Sequence, residues 1–272
     1  LGRSNECLIE YDKALDFFDE SQSMKAKLLI SKGLAEIYWA DISIDPVFYE
    51  EAIVCFNKSI DLIAQLNNSD KAWIASARWS RGYARFKLRY LEEPDWECLE
   101  KAKKYDESIL DDYNQALLEL DAKGASFIWC DLADAYMHQN RYRDALKAYE
   151  KALERQIQLT NLQYSCQWRG NGDEILKLAA HIWMGKGDNY LRISESHENI
   201  CDRLLDCDRA IKSYRRAIDA LDRLPRDGDA QAGKALVLLK MGRILEAVMA
   251  YEKAILIVEG LDPSAIGQIF HS

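Results

Sequence analysis

The sequence predicts an all-α protein built from tandem helix pairs, an α-solenoid. The first observation is a short pattern that occurs six times: an aromatic residue, any residue, a basic or amide residue, a small residue, then Leu or Ile. Self-similarity of this kind is typical of repeat architectures, in which each unit covers the apolar face of its neighbour. The second observation is the low content of chain breakers, only 4 Pro and 13 Gly, without alternating Val/Ile/Thr-rich segments, which leaves no room for a sheet. The six copies are residues 11–15, 56–60, 113–117, 149–153, 214–218 and 251–255.

Each copy marks the second helix of one unit, and the repeat bounds follow in chain order. We expect one repeat domain over 1–272, with a half repeat at about 1–22 and a terminal helix at 262–272. The full repeats are expected at about 23–68, 69–122, 123–165, 173–224 and 227–260. Extra residues around 41–48 and 194–206 should extend helices or enlarge the turn inside their units. The opening half repeat suggests a segment of a longer protein.

The third full unit shows both helices most clearly. It reads Trp129-x2-Leu132-Ala133-x2-Tyr136, followed by Ala145-x3-Tyr149-x2-Ala152. This unit resembles the tetratricopeptide repeat (TPR), whose pattern W-x2-L-G-x2-Y…A-x3-F describes a helix-turn-helix of about 34 residues. Partial copies are Leu34-Ala35-x2-Tyr38, Trp183-x2-Lys186-Gly187-x2-Tyr190 and Gln231-x2-Lys234-Ala235-x2-Leu238. The second unit fits two registers, one anchored on Trp73 and one on Gly82. The resemblance implies a right-handed superhelix of antiparallel helix pairs.

Composition limits the classes of partner and the compartment. The formal net charge of −9 argues against general binding to nucleic acid or to anionic membranes. There is no apolar run approaching the length of a membrane span and no secretory signal at the N-terminus, so no membrane association is expected. The 7 scattered cysteines fit reduced thiols, and the protein is predicted to be cytoplasmic.

No group of residues predicts catalysis. The best candidate for a metal site is His197 with Cys201 and Cys207, but it lacks the C-x2-C or H-x3-H partners that zinc sites use. The glycines of Gly185-Lys186-Gly187 follow no strand, so they do not form a phosphate loop. We therefore predict a protein that is not an enzyme and carries neither cofactor nor metal.

The first helices of successive TPR units line a concave groove, and this implies a set of partner-binding residues. The expected lining is aromatic and acidic with a few bases: Lys32, Glu36, Trp39, Arg78, Arg85, Phe127, Asp131, Asp134, Met137, His138, Asp188 and Arg192. Apolar anchors would supply affinity, and the carboxylates would select basic residues. The predicted partner is a protein, bound as a peptide or helix with basic and apolar residues. Chaperone-tail TPR domains use Lys followed four residues later by Asn, whereas Glu36 follows Lys32 here, so that clamp is not reproduced.

An arginine stripe in the second unit has two interpretations. Its members are Arg78, Arg81, Arg85 and Arg89. They could bind an acidic peptide, phosphate or RNA. They could instead pair with carboxylates of the adjacent helix, such as Glu107, Asp111 and Asp112.

Other functions stay open at this point. The array could be a regulatory or sensor domain of a multidomain signalling protein such as a bacterial NTPase, or a structural solenoid that self-associates. RNA binding ranks last because the net charge opposes it.

Overall fold

The computed structural model describes residues 2–18, 21–66, 71–91, 99–119, 125–164 and 172–260, and the regular secondary structure in these ranges is entirely helical. This confirms the predicted all-α class. The helices are α1 (Gly2–Phe17), α2 (Gln22–Ser43), α3 (Pro46–Gln65), α4 (Lys71–Leu91), α5 (Leu99–Glu119), α6 (Ala125–His138), α7 (Tyr142–Tyr164), α8 (Gly172–Ser196), α9 (Ile200–Leu221), α10 (Gly228–Lys240) and α11 (Ile244–Val258). The terminal helix predicted at 262–272 lies outside the described residues.

The chain divides into two compact units. Unit 1 covers Leu1–Ala135 and contains α1 to α5 with most of α6. Unit 2 covers Tyr136–Ser272 and contains the end of α6 with α7 to α11.

Consecutive helices pair in antiparallel fashion. In unit 1, Ser59 of α3 donates its hydroxyl to the carbonyl of Ala26 at the start of α2, at 2.9 Å. At the other end of the pair, Tyr49 at the start of α3 donates to the Asp41 carboxylate near the end of α2. Since later residues of one helix meet earlier residues of the next, the two run in opposite directions. The ion pairs Arg78–Glu119 and Arg89–Asp106 show the same order for α4 and α5.

The two predicted insertions lengthen helices instead of enlarging turns. Helix α2 has 22 residues and α8 has 25, compared with 14 in α6 and 13 in α10. The turns stay short because polar side chains cap the next helix: Asp45 accepts from the backbone N–H of Val47, and Asn199 accepts from that of Cys201. Pro46 at the first position of α3 is preorganised for a helix start.

Small residues of the first helices lie directly against the aromatic residues of the repeated pattern. A β-carbon added at the small residue would lie within 3 Å of the ring, so only glycine fits there. The pairs are Gly33 with Phe56 at 2.8 Å, Gly82 with Tyr113 at 2.9 Å and Gly187 with Tyr214 at 2.5 Å. The register of the first repeat predicted from Leu34-Ala35-x2-Tyr38 is therefore wrong by two residues, because Gly33 and not Ala35 faces the ring. In the second unit the Gly82 register is the one adopted.

Helix α11 exposes side chains at positions where α9, the second helix of the preceding pair, buries them. On α9, Tyr214, Ile218 and Leu221 are buried in a cluster with residues of α10. The same positions of the pattern on α11 are occupied by Tyr251, Ile255 and Val258, which are 40 to 78% exposed. Within the described part of unit 2, α11 is thus packed on one side only.

None of the helices that the structure describes is both long enough and apolar enough to span a bilayer.

Candidate partner-binding surface

Helix α2 presents an exposed apolar stripe to solvent. Leu34, Tyr38 and Ile42 follow each other at intervals of four residues, about one helical turn, and are 45, 60 and 57% exposed. Tyr38 also contacts Trp39 edge to face, with ring centroids 5.3 Å apart. The stripe lies on the far side of α2 from Gly33, which packs on Phe56. None of these three stripe residues is among the predicted contacts. The two-residue error in register accounts for Leu34 and Tyr38, and Gly33 is the signal that could have corrected it.

In unit 1, helix α4 contacts helix α6 at two of the predicted residues, Phe127 and Asp131. The indole N–H of Trp79 donates to Asp131 Oδ2 at 2.6 Å. The Trp79 ring also lies 6.4 Å from that of Phe127, centroid to centroid. Phe127 and Asp131 are therefore brought together, with Trp79 between them, and the Asp131 carboxylate is held by a charge-assisted hydrogen bond. Asp134 lies one turn further along α6 and is partly buried.

Asp41 connects three helices. Its carboxylate accepts from the hydroxyl groups of Tyr49 on α3 and Tyr83 on α4, the latter at 3.3 Å. Lys87 of α4 lies 3.9 Å from it. Burial and the Asp41 charge raise the pKa of Tyr83, so its phenol stays protonated and donates. This acceptor at the end of the α2 stripe was not among the predicted residues.

The predicted contacts Lys32 and Glu36 are engaged within unit 1. Lys32 Nζ lies 2.6 Å from Asp12 Oδ1 of α1 and 3.9 Å from Glu36 Oε1. Glu36 is 1% exposed, and its Oε2 has no hydrogen-bond partner within the described residues. The expectation that Glu36 offers a carboxylate to a partner is corrected by this burial, which follows from the two-residue shift in register.

Burial changes the ionisation of Glu36. It raises the pKa of the carboxyl group to about 7, against a smaller lowering by Lys32. A raised pKa in the folded state means that the neutral acid stabilises the fold below pH 4.5, and that this contribution is lost as pH rises through about 7. This rise in the pKa of Glu36, from 4.5 to about 7, corresponds to at most about 3 kcal/mol in the free energy of unfolding.

We therefore expect Glu36→Gln to flatten the pH dependence of unfolding. The parent protein should lose stability between pH 4.5 and pH 7, whereas the neutral amide should lose much less. Urea unfolding followed by far-UV circular dichroism measures both. Glu10→Gln is the matched control, since Glu10 is exposed and pairs with Lys13 on the same helix. An identical pH profile for Glu36→Gln and the parent would contradict the assignment.

The arginine stripe of α4 faces α5. Arg81 Nε lies 3.1 Å from Asp112 Oδ1, and Arg85 Nη1 lies 2.7 Å from Asp112 Oδ2. Arg78 pairs with Glu119 at 3.0 Å. Asp112 thus has the structural role that one of the two interpretations predicted. The predicted contacts Arg78 and Arg85 are engaged inside unit 1. The interpretation of the stripe as a binding site for acidic ligands loses its basis.

In unit 2, the predicted contact Asp188 joins three helices. It accepts from the Tyr214 hydroxyl of α9 at 2.6 Å and from Lys240 Nζ of α10 at 3.0 Å. Burial and this hydrogen bond raise the pKa of Tyr214, which stays a neutral donor. The Asp188 charge is balanced within the unit and serves helix packing.

A cavity of about 350 Å³ lies where α6 turns into α7. Three predicted contacts line it, Met137, His138 and Arg192, together with Asn140 and Tyr142, which sequence reasoning missed. Asn140 has a left-handed backbone, φ 58°, and its side-chain oxygen accepts from the Tyr142 hydroxyl at 2.6 Å. A left-handed Asn after a helix end is the signal that could have placed both residues at a tight turn.

His197 and Cys207, two members of the candidate metal site considered from the sequence, make structural contacts. His197 Nε2 lies 2.9 Å from Asp206 Oδ2, and Cys207 Sγ lies 3.7 Å from Ser194 Oγ. These contacts join α9 to the end of α8.

Comparisons with known proteins agree with the geometry. Two models of the tetratricopeptide repeat family match residues 126–156 and 202–266. A TPR repeat-containing protein of Methanocaldococcus jannaschii is 25% identical over 256 residues, which are 94% of this chain and 35% of the relative. The chain therefore spans about a third of the length of that curated relative.

Two solved structures share the fold. BtubC from P. vanneervenii superposes with a TM-score of 0.53 at 15% identity, over 95% of this chain and 89% of that one. Kinesin light chain TPR-like repeats of Podosopora anserina superpose with a TM-score of 0.50 at 13% identity, over 92 and 95%. At these identities the likeness concerns the fold alone. The glycine-to-aromatic helix pairs in both units, the two matching repeat models and the TPR-containing relative together support the predicted resemblance to the tetratricopeptide repeat family.

Proposed function

We propose that this protein is a non-enzymatic scaffold that binds a peptide or helix of another protein on the first helices of its repeats. TPR repeats generally mediate contacts between proteins, and repeat arrays present extended surfaces for that purpose. The observation that carries the proposal is the exposed stripe of Leu34, Tyr38 and Ile42 on α2.

The stripe has the character of a helix-binding surface. Three large apolar side chains in a row are more than the scattered exposed residues of an ordinary surface. An amphipathic helix or an extended peptide can lay its apolar side chains along such a row. Tyr38 and the neighbouring Trp39 supply aromatic area, the residue type that carries most binding energy at interfaces.

Charge selects the partner less strongly than the sequence alone suggested. Asp131 already accepts from Trp79, and Asp188 already accepts from Tyr214 and Lys240. Affinity therefore rests on apolar contacts. The net charge of −9 still favours partners with basic residues by steering their approach. Trp39, Phe127 and Asp134 stay proposed contacts, and Glu36 does not. The sensor and self-association alternatives stay predictions.

The proposal is tested by placing a charge on the stripe. We expect Tyr38→Glu to lower the amount of bound partner at least about tenfold, because losing an aromatic hot spot removes about 2 kcal/mol or more. The measurement is quantitative mass spectrometry of proteins captured by the parent and variant chains, with binding constants then determined for the captured protein.

Val54→Glu is the matched control, since Val54 is an apolar residue of α3 that is about half exposed. It should leave capture unchanged, and both variants should keep the helix content of the parent. Equal capture by Tyr38→Glu and the parent, or an equal loss with Val54→Glu, would remove the α2 stripe as the binding surface.

A further inference from the structure

The cavity at the α6–α7 turn has an unusual lining for so acidic a chain. Its five side chains are a guanidinium, an imidazole, a carboxamide, a phenol and a thioether, from Arg192, His138, Asn140, Tyr142 and Met137. Among the residues that the structure describes, no carboxylate lines it, although the chain carries 45 acidic residues against 36 Lys and Arg. Hydrogen-bond donors and positive charge therefore converge at this place.

The geometry of the turn sets which groups are available to a ligand. Because the Asn140 side-chain oxygen accepts from the Tyr142 hydroxyl, the amide NH2 is the part of Asn140 left to donate. The left-handed backbone of Asn140 holds this amide at the turn between two helices. Arg192 contributes a planar set of N–H donors from α8, the group best suited to a carboxylate.

The volume limits the size of the ligand. About 350 Å³ is near the lower end of the range for ligand pockets, roughly 300–1,000 Å³. Such a space admits one side chain of a peptide and leaves room for water around it. Met137 provides an apolar wall for the methylene groups that precede an acidic head group.

We propose that this cavity binds an acidic side chain of the partner peptide, with Arg192 as the charge partner and Asn140 as a neutral donor. The inference rests on the proposed function, since Met137, His138 and Arg192 belong to the residues predicted to contact the partner. It adds a second recognition element to the apolar stripe, namely a carboxylate of the partner that unit 2 binds.

One carboxylate of the chain competes for the same guanidinium. Glu195 Oε2 lies 3.3 Å from Arg192 Nη1, and both side chains are about 60% exposed. An exposed pair of this kind contributes only about 0.2–1 kcal/mol, so a ligand carboxylate can displace Glu195. Two substitutions one helical turn apart should therefore act in opposite directions on the same ligand.

The experiment uses short peptides as probes and the full chain as receptor. Acetyl-Ala-Ala-Glu-Ala-Ala-amide and its Gln analogue test for an acidic side chain. Acetyl-Ala-Ala-Leu with a free carboxylate and its amide test for a terminal carboxylate. Binding is read from chemical-shift changes of the Arg192 and His138 side chains during titration, which also give the dissociation constant.

We expect the Glu peptide to shift both resonances and the Gln peptide to leave them in place. Arg192→Gln should weaken the Glu peptide about tenfold, and Glu195→Gln should tighten it up to about fivefold. Binding of the terminal carboxylate alone would keep the anion site but overturn the side-chain assignment. Equal response to Glu and Gln peptides, or the same affinity in Arg192→Gln, would overturn the proposal.

The two proposals fail separately. Tyr38→Glu changes unit 1 and should leave the titration of the unit 2 cavity unaltered. Arg192→Gln leaves the α2 stripe intact. A negative peptide titration therefore overturns the carboxylate subsite and leaves the proposal for the α2 stripe unaffected.

Discussion

Asp112→Ala is expected to destabilise unit 1 by about 3–5 kcal/mol, the usual cost of removing one partner from a buried ion pair. Asp112 is 1% exposed and accepts from both Arg81 and Arg85. Its removal leaves two guanidinium groups without their carboxylate between α4 and α5, and Asn57, at 2.7 Å from Arg81, replaces only part of that interaction. The free energy of unfolding in urea, followed by circular dichroism, measures the loss.

Asp208→Ala is the control for this prediction. Asp208 pairs with Lys212 one turn along α9, and both side chains are more than half exposed. Such a pair contributes about 0.3–0.5 kcal/mol. If Asp112→Ala costs no more than Asp208→Ala, the α4–α5 interface does not depend on the buried carboxylate.

Gly187→Ala is expected to cost at least about 2 kcal/mol, towards the upper end of the range for overpacking a core. The added β-carbon would lie 2.5 Å from Tyr214 Cε1 and 2.7 Å from Cδ1. Tyr214 is itself buried and hydrogen-bonded to Asp188, so its ring cannot retreat without breaking that bond. The melting temperature of the variant should fall accordingly.

Gly233→Ala gives the opposite result if this explanation holds. The nearest atom to a β-carbon at Gly233 is Leu221 Cδ1, at the ordinary contact distance of 3.6 Å. Alanine there should stabilise α10 by about 0.5–1 kcal/mol, through its higher helix propensity. A comparable loss at both glycines would mean that the Gly187–Tyr214 contact is not the cause.

The helical class and the resemblance to the repeat family could be predicted because the sequence signal is redundant. Six copies of one pattern each place small and aromatic residues on one helix face, so an error in one copy does not change the fold. The helix pairs in both units follow from this repetition.

The register of a single helix could not be predicted in the same way. Helix α2 carries small residues at both Gly33 and Ala35, and either satisfies the pattern. The choice is made by Phe56 on the next helix, whose ring leaves no room for a β-carbon at Gly33. Because this contact joins residues far apart in sequence, local spacing did not reveal it, and Glu36 was placed on the wrong face.

The candidate sites show the same limit. The arginine stripe was recognised, but only its contacts with Asp112 and Glu119 separate a structural role from a binding role. Asn140 and Tyr142 were missed because their convergence depends on the backbone of one turn residue. Side chains that meet across a turn or between helices carry no fixed spacing in the sequence.

The one-sided packing of α11 has a consequence for how unit 2 holds together. In a repeat protein, stability is approximately a sum of terms for each helix pair and for each interface between neighbours. Tyr214 contributes to two such interfaces, one within its own pair and one with α10, whereas Tyr251, Ile255 and Val258 leave the second interface of α11 unfilled in the described residues. Among the described residues, the α10–α11 pair therefore has one neighbour interface fewer than the α8–α9 pair. We accordingly expect amide protons of α11 to be less protected from hydrogen exchange than those of α8 and α9.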